Sequence, residues 1–202
     1  MHVVNAAAGH FDLPAGTLLR SLEMHHDPRG AVTEVFRESW ETGIAPVQWN
    51  VVRSEAGVLR GVHVHVRHDD YLILLDGRAL VGLRDLRPHS PTSGRTCLFE
   101  MRGDELAALT IPPGVAHGFY FPEAAVHLYA VSEYWDPADE LGCHWADPAL
   151  EIPWPAEPAI LSTRDAAAPP LSVLLRQLES RQETAAPARP REHAVYARVA
   201  VR

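Results

Sequence analysis

The residues best placed to do chemistry lie between Gly57 and Gly77, where His63, His65, His68 and Asp70 crowd into a few positions. From Val62 to Arg67 the chain alternates at a period of two. An extended strand here would put Val62, Val64 and Val66 on one face and His63, His65 and Arg67 on the other. Imidazoles titrate near neutrality and carry nitrogen lone pairs, so a sheet face lined with them is equipped to move a proton or hold an ion. Such a face needs a rigid container, and the rest of the chain can be read as supplying it.

That container reads as strands. Thr17–Arg20, Ala31–Phe36, Val47–Arg53, Tyr71–Leu75, Arg78–Asp85, Thr96–Met101, Ala107–Ile111, Ala116–Phe121 and Val126–Ser132 are short apolar-rich runs broken by Gly, Pro and Asp. Asp76-Gly77 carries a hairpin signature that would pair the two runs flanking it. By the same reading Ala116–Phe121 pairs with Val126–Ser132, and His25 to Gly30 forms a turn around Pro28. Strands this frequent, without interleaved helices, indicate an all-β sandwich or barrel. A helix is expected over Leu171–Leu178, with Ser162 or Asp165 as nearby caps. One domain over residues 1–181 is expected, followed by an Ala/Pro/Arg-rich tail over 182–202.

Composition narrows the function. A formal charge of −8 argues against nucleic acid or an anionic membrane as a partner. All 18 basic residues are Arg, which excludes a lysine base or Schiff base and leaves guanidinium groups to grip any anionic ligand. Two cysteines without zinc-type spacing point to a reducing compartment, and the cytoplasm is the expected location. Met1–Gly16 has neither the basic nor the apolar segment of a signal peptide, and no run approaches membrane-spanning length.

Gly57, His63, His65, Asp70 and Gly77 follow the spacing of the first cupin motif, with Asp in place of the usual Glu. Pro113, Gly114 and His117 fall in the partial second motif, Pro112-Pro-Gly-Val-Ala-His117. Longer strings sharpen the likeness: Gly57-Val-Leu-Arg-Gly-Val-His63, Asp85-Leu-Arg-Pro-His-Ser-Pro-Thr-Ser-Gly94, Ile111-Pro-Pro-Gly-Val-Ala-His-Gly-Phe119, Asp147-Pro-Ala-Leu-Glu-Ile-Pro-Trp-Pro155 and Leu161-Ser-Thr-Arg-Asp165. Together they resemble the dTDP-4-dehydrorhamnose 3,5-epimerase family over roughly residues 20–175.

The resemblance implies an all-β cupin jelly-roll barrel with a short peripheral C-terminal helix, acting on a dTDP-4-keto-6-deoxyhexose through an enolate. It implies His63 as base, Asp165 as its orienting carboxylate and Tyr129 as acid on the opposite face. Arg29, Glu34, Gln48, Asn50, Arg60, His117 and Trp135 fall at substrate-binding positions. A homodimer formed through exchanged strands is implied, with no cofactor.

Two departures stand out. The family lysine aligns with Asp70, so a carboxylate occupies a place where an ammonium would favour the developing enolate charge. An aromatic expected after Gly30 is replaced by Val32 or Thr33. Conversely, His63, His65, Asp70 and His117 form the set by which metal-dependent cupins hold a divalent ion, and those donors suit Fe, Mn, Ni or Zn. This leaves two alternatives to a cofactor-free epimerase. One is a metal-dependent cupin enzyme, and the other a non-catalytic protein that binds sugar nucleotides.

Overall fold

The computed structural model describes residues 4–5, 12–155 and 159–184. Its strands are β1 (Val4–Asn5), β2 (Leu18–Ser21), β3 (Met24–Asp27), β4 (Gly30–Thr33), β5 (Gln48–Ser54), β6 (Val58–Val64), β7 (Asp70–Asp76), β8 (Arg78–Asp85), β9 (Thr96–Arg102), β10 (Ala107–Ile111), β11 (Val115–Phe121), β12 (Ala125–Val131) and β13 (Leu141–Gly142). Two helices follow, α1 (Thr163–Ala166) and α2 (Leu171–Thr184).

The long strands form two sheets, ordered β1-β9-β8-β11-β6-β13 and β2-β10-β7-β12-β5. They face each other over a shared core to which β7 and β10 of one sheet and β8, β9 and β11 of the other contribute, including Leu72, Leu74, Val81, Leu83, Phe99, Met101, Leu109 and Ile111. This is the expected all-β jelly roll, built as two open sheets rather than a closed barrel.

The pairing differs from the one read off the turn at Asp76-Gly77. β7 pairs with β10 and β12, whereas β8 pairs with β9 and β11. The Gly77 turn therefore passes the chain between sheets instead of closing a hairpin. Close packing accounts for its glycine: φ is +78° and an added Cβ would lie 2.4 Å from the Ala124 carbonyl oxygen. Likewise β11 and β12 belong to different sheets. Alternating sheets lets consecutive apolar runs all reach one core, which a local hairpin pairing would not. The segment read as a turn from His25 to Gly30 is instead a small hairpin, β3 against β4, with Pro28 and Arg29 at its tip.

Other segments cover the outer sheet faces. Val62, Val64 and Ala116 pack under Leu150, Leu171, Leu174 and Leu178, so α2 is anchored on the back of β6 and β11. Tyr71, Ile73 and Ala130 are covered by the run containing Phe36, Trp40 and Ile44. α2 continues to Thr184, past the boundary expected at 181, and the remainder of the expected tail, 185–202, lies outside the described residues. Both cysteines are free. No helix among the described residues is long and apolar enough to cross a membrane.

Candidate active site

A cavity of about 360 Å³ opens between the sheets, lined by residues of β5, β6, β7, β11 and β12 and by the segments carrying Glu140 and Asp165. His63 lies near the end of β6, opposite His117 of β11 and beside Gly142 of β13. The Asp165 carboxylate reaches it from α1, the first turn of which is capped by Ser162 through a 3.0 Å bond from the Asp165 amide. Nε2 of His63 stands 2.8 Å from Asp165 Oδ1. With the proton on Nε2 donated to that carboxylate, Nδ1 carries the lone pair. Burial by itself would raise the Asp165 carboxyl, but the hydrogen bond and charge of His63, with Ser162 and Arg164, hold it at about 2.

Arg60 lines the same cavity although it lies three positions before His63, a spacing that sends side chains to opposite faces of a regular strand. A slip in register explains this. His117 pairs with His63 and Gly118 with Gly61, leaving Val62 as an extra residue, and the bulge re-phases β6. Gly61 makes it possible: φ is +127° and a Cβ there would meet Gly118 Cα at 2.7 Å. The Arg60 side chain is then fixed by Ser54 Oγ and the Arg53 carbonyl, at 2.9 and 3.2 Å.

β5 carries Gln48 inward, and its outward residues are the apolar Trp49 and Val51 followed by Arg53. Gln48 donates from Nε2 to Asn50 Oδ1 at 3.1 Å and accepts from the Trp135 amide. Gln48 and Trp135 line the cavity; Asn50 stands behind Gln48, its buried Nδ2 without a hydrogen-bond partner. Tyr129 of β12, opposite Asn50 and Leu72, also lines the cavity. Burial, reinforced by the negative charge of Asp70 and Glu140, keeps its phenol above the ordinary range and therefore protonated.

The structure does not bring every expected residue to this chain's cavity. Arg29 is exposed at the β3–β4 tip, ion-paired to Asp27, and does not line this chain's cavity. Glu34 is also outside it, exposed and paired with Arg37. Arg67 does not share the His63 face. β6 ends at Val64, and the guanidinium turns outward to Asp136 and Asp139.

The four-residue metal set is divided. His65, Asp70 and His117 place one ligand atom each within 4.8 Å of one another, while His63 is held by Asp165. Burial lowers His65 to about 3 and His117 well below its ordinary value, leaving both neutral. Burial first, with the neighbouring carboxylates and against His68, pushes Asp70 up to about 7. Sequence reasoning gave His68 no role and missed Asp139, Glu140 and Arg164. Asp139 is buried in a short turn and accepts from the Val66 and Arg67 amides and from His68 Nδ1. Arg164 spans Glu140 and the dyad, donating from Nη1 to Glu140 Oε2 at 2.9 Å and from Nη2 toward the His63 Nδ1 lone pair at 3.3 Å. The local signals were thin: Asp139 and Glu140 follow an Asp-Pro turn start, and Arg164 adjoins Asp165.

A jelly roll with a His–Asp pair, a tyrosine and arginines lining one inter-sheet cavity has the architecture of the cupin type. Residues 13–172 match the family model described as dTDP-4-dehydrorhamnose 3,5-epimerase. The chain belongs to that family. It is 35% identical to the dTDP-4-dehydrorhamnose 3,5-epimerase of Neisseria gonorrhoeae over 166 residues, 77% of this chain and 49% of that protein. The chain thus spans about half the length of that relative. It is 36% identical to the Pseudomonas aeruginosa protein of the same description over 137 residues, 64% of this chain and 74% of the other. Among solved structures, the Legionella pneumophila dTDP-6-deoxy-D-glucose-3,5-epimerase in complex with dTDP-4-keto-L-rhamnose matches at a TM-score of 0.76 and 32% identity, covering 88% of this chain and 96% of that one. A 3'-monoepimerase from Streptomyces bikiniensis in complex with dTDP-quinovose matches at 0.75 and 30%, covering 85% and 94%.

Proposed function

We propose that this chain epimerises a dTDP-4-keto-6-deoxyhexose at a carbon next to the keto group, in deoxysugar biosynthesis. His63 accepts the C–H proton, and the electron pair left behind moves into the carbonyl to give an enolate. Tyr129 returns a proton from the other face of the sugar as the enolate pair forms the new C–H bond and the carbonyl is restored, inverting the centre; the imidazolium then loses its proton to solvent and Tyr129 is reprotonated from it. Asp165 fixes the imidazole tautomer and stabilises the imidazolium while the proton resides there. Arg60 and Arg164 offer bidentate donors to the diphosphate, and Trp135 an aromatic surface to the base. No redox partner is needed, and both proton transfers are assigned to side chains of this chain, without a cofactor.

The observation that carries this reading is the 2.8 Å His63–Asp165 pair in the cavity that Tyr129 also lines. Incubation with a dTDP-4-keto-6-deoxyhexose in D2O tests it. Deuterium is expected at C3, C5 or both, abolished by His63→Asn. Measurable substrate binding without exchange over hours would replace this reading by that of a non-catalytic binding protein.

Assembly as a homodimer belongs to the same reading. β5 turns Val47, Trp49 and Val51 to solvent, at 45%, 41% and 60% exposure, and the β3–β4 hairpin exposes Val32. A partner chain over this edge covers those residues and allows Arg29 and Glu34 to reach the partner's cavity. The two free thiols suit a reducing compartment, and we assign the chain to the cytoplasm.

A further inference from the structure

We infer that His65, Asp70 and His117 form a binding site for one divalent transition-metal ion, beside the His63–Asp165 dyad and separate from it. All three are buried, at 6%, 8% and 5% exposure, and all three line the cavity.

The tautomers follow from the hydrogen bonds. His117 Nδ1 lies 3.1 Å from the Val115 carbonyl oxygen and His65 Nδ1 3.3 Å from that of Asp139. A carbonyl only accepts, so each Nδ1 carries the proton and each Nε2 presents a lone pair. Both lone pairs face Asp70: its Oδ2 stands 3.6 Å from His65 Nε2 and 3.9 Å from His117 Nε2. Those separations are too long for hydrogen bonds. The three groups therefore converge in a buried place with no hydrogen bond joining them, an arrangement that a cation resolves.

The spacing also suits an ion. Ligand atoms about 2.1 Å from a metal lie about 3.0 Å apart at right angles and about 3.4 Å apart at the tetrahedral angle. The observed spacings are within a few tenths of an ångström to just under an ångström of those values. Imidazole Nδ1–H groups tied to backbone carbonyls are also the usual support behind metal-ligating histidines. His68 braces the carboxylate from its other side. Its Nδ1 bonds Asp139 Oδ2 at 3.0 Å and its Nε2 stands 3.8 Å from Asp70 Oδ1. Two imidazoles and one carboxylate leave coordination positions open toward the cavity and suit iron, zinc, manganese or cobalt over magnesium or calcium.

The dyad and the metal set do not compete for a residue, because His63 is committed to Asp165 and its ring centroid lies 6.5 Å from that of His117. The metal site does not depend on the epimerase reading.

The experiment uses the full chain, purified without chelator, for elemental analysis. It is then stripped and titrated calorimetrically with Zn2+, Mn2+ and Co2+. The expected result is about one equivalent of bound metal, with affinity weakened at least about 100-fold in Asp70→Asn and His117→Gln and retained in His63→Asn. Less than about 0.1 equivalent on isolation, with no saturable binding of any of the three ions, would overturn the site. Where the ligand variants fail to fold, the visible d–d bands of the Co2+-loaded wild-type protein decide: intense bands of nitrogen and oxygen coordination support the site, and their absence overturns it. The solvent-exchange assay keeps the two proposals apart. Stoichiometric metal without sugar exchange leaves the metal site and removes the epimerase, whereas exchange in a chain that binds no metal does the reverse.

Discussion

The Asp165 carboxylate meets His63 Nε2 at 2.8 Å across 102 residues of chain, bringing the α1 turn onto the end of β6. Asp165→Asn keeps the shape of the pair but removes the charge that stabilises an imidazolium. Turnover is expected to fall about 10²–10⁴-fold, with substrate affinity within a few-fold of wild type, as read by steady-state kinetics.

The same pair has a pH signature in stability. The folded Asp165 carboxyl is held at about 2, below an ordinary carboxylate. Its contribution is therefore complete above about pH 4 and is lost as pH falls toward 2, with a size of about 2 kcal/mol. Urea denaturation of wild type and Asp165→Asn should show a stability gap at pH 6 that closes by about pH 2. A gap constant across that range would contradict the assignment.

Tyr129→Phe separates the two proton transfers. His63 can still remove the substrate proton, so deuterium exchange with retention should persist while inversion falls about 10²–10⁴-fold. NMR of the product sugar distinguishes the two outcomes. Equal loss of exchange and inversion would mean that Tyr129 is not the opposite-face acid.

Gly61→Ala tests the bulge that brings Arg60 and His63 to one cavity. The new Cβ would press on Gly118 Cα at 2.7 Å and the His117 carbonyl oxygen at 2.9 Å. A loss of about 1–3 kcal/mol in unfolding free energy is expected, together with weaker binding of dTDP as Arg60 loses its placement. Calorimetric titration with dTDP reads the second effect.

Val51→Glu and Trp49→Asp place charge on the outward face of β5, where both native side chains are exposed in one chain. Light scattering should give twice the chain mass for the wild type and a single chain mass for the variants. Arg29→Ala should then weaken substrate binding in the dimer, despite lying outside its own chain's cavity.

The sequence by itself determined the strand content, the cupin spacing that puts His63, His65 and Asp70 near His117, and the family resemblance that singled out Asp165 and Tyr129. The strand content follows from local pattern, period-two alternation and turn chemistry, which residues carry with them, and the rest from ordered strings that resemble the family. The tertiary structure decided the rest. Asp76-Gly77 has the chemistry of a hairpin turn, yet the flanking strands part into different sheets because both must cover one core. Arg60 joins His63 only through the Val62 bulge, which depends on where β11 packs against Gly61. His63 leaves the metal set because α1 carries Asp165 to its Nε2, whereas His65 and His117 remain because backbone carbonyls fix their Nδ1 protons. Each of these outcomes depends on atoms distant in sequence, so no window of residues contains it.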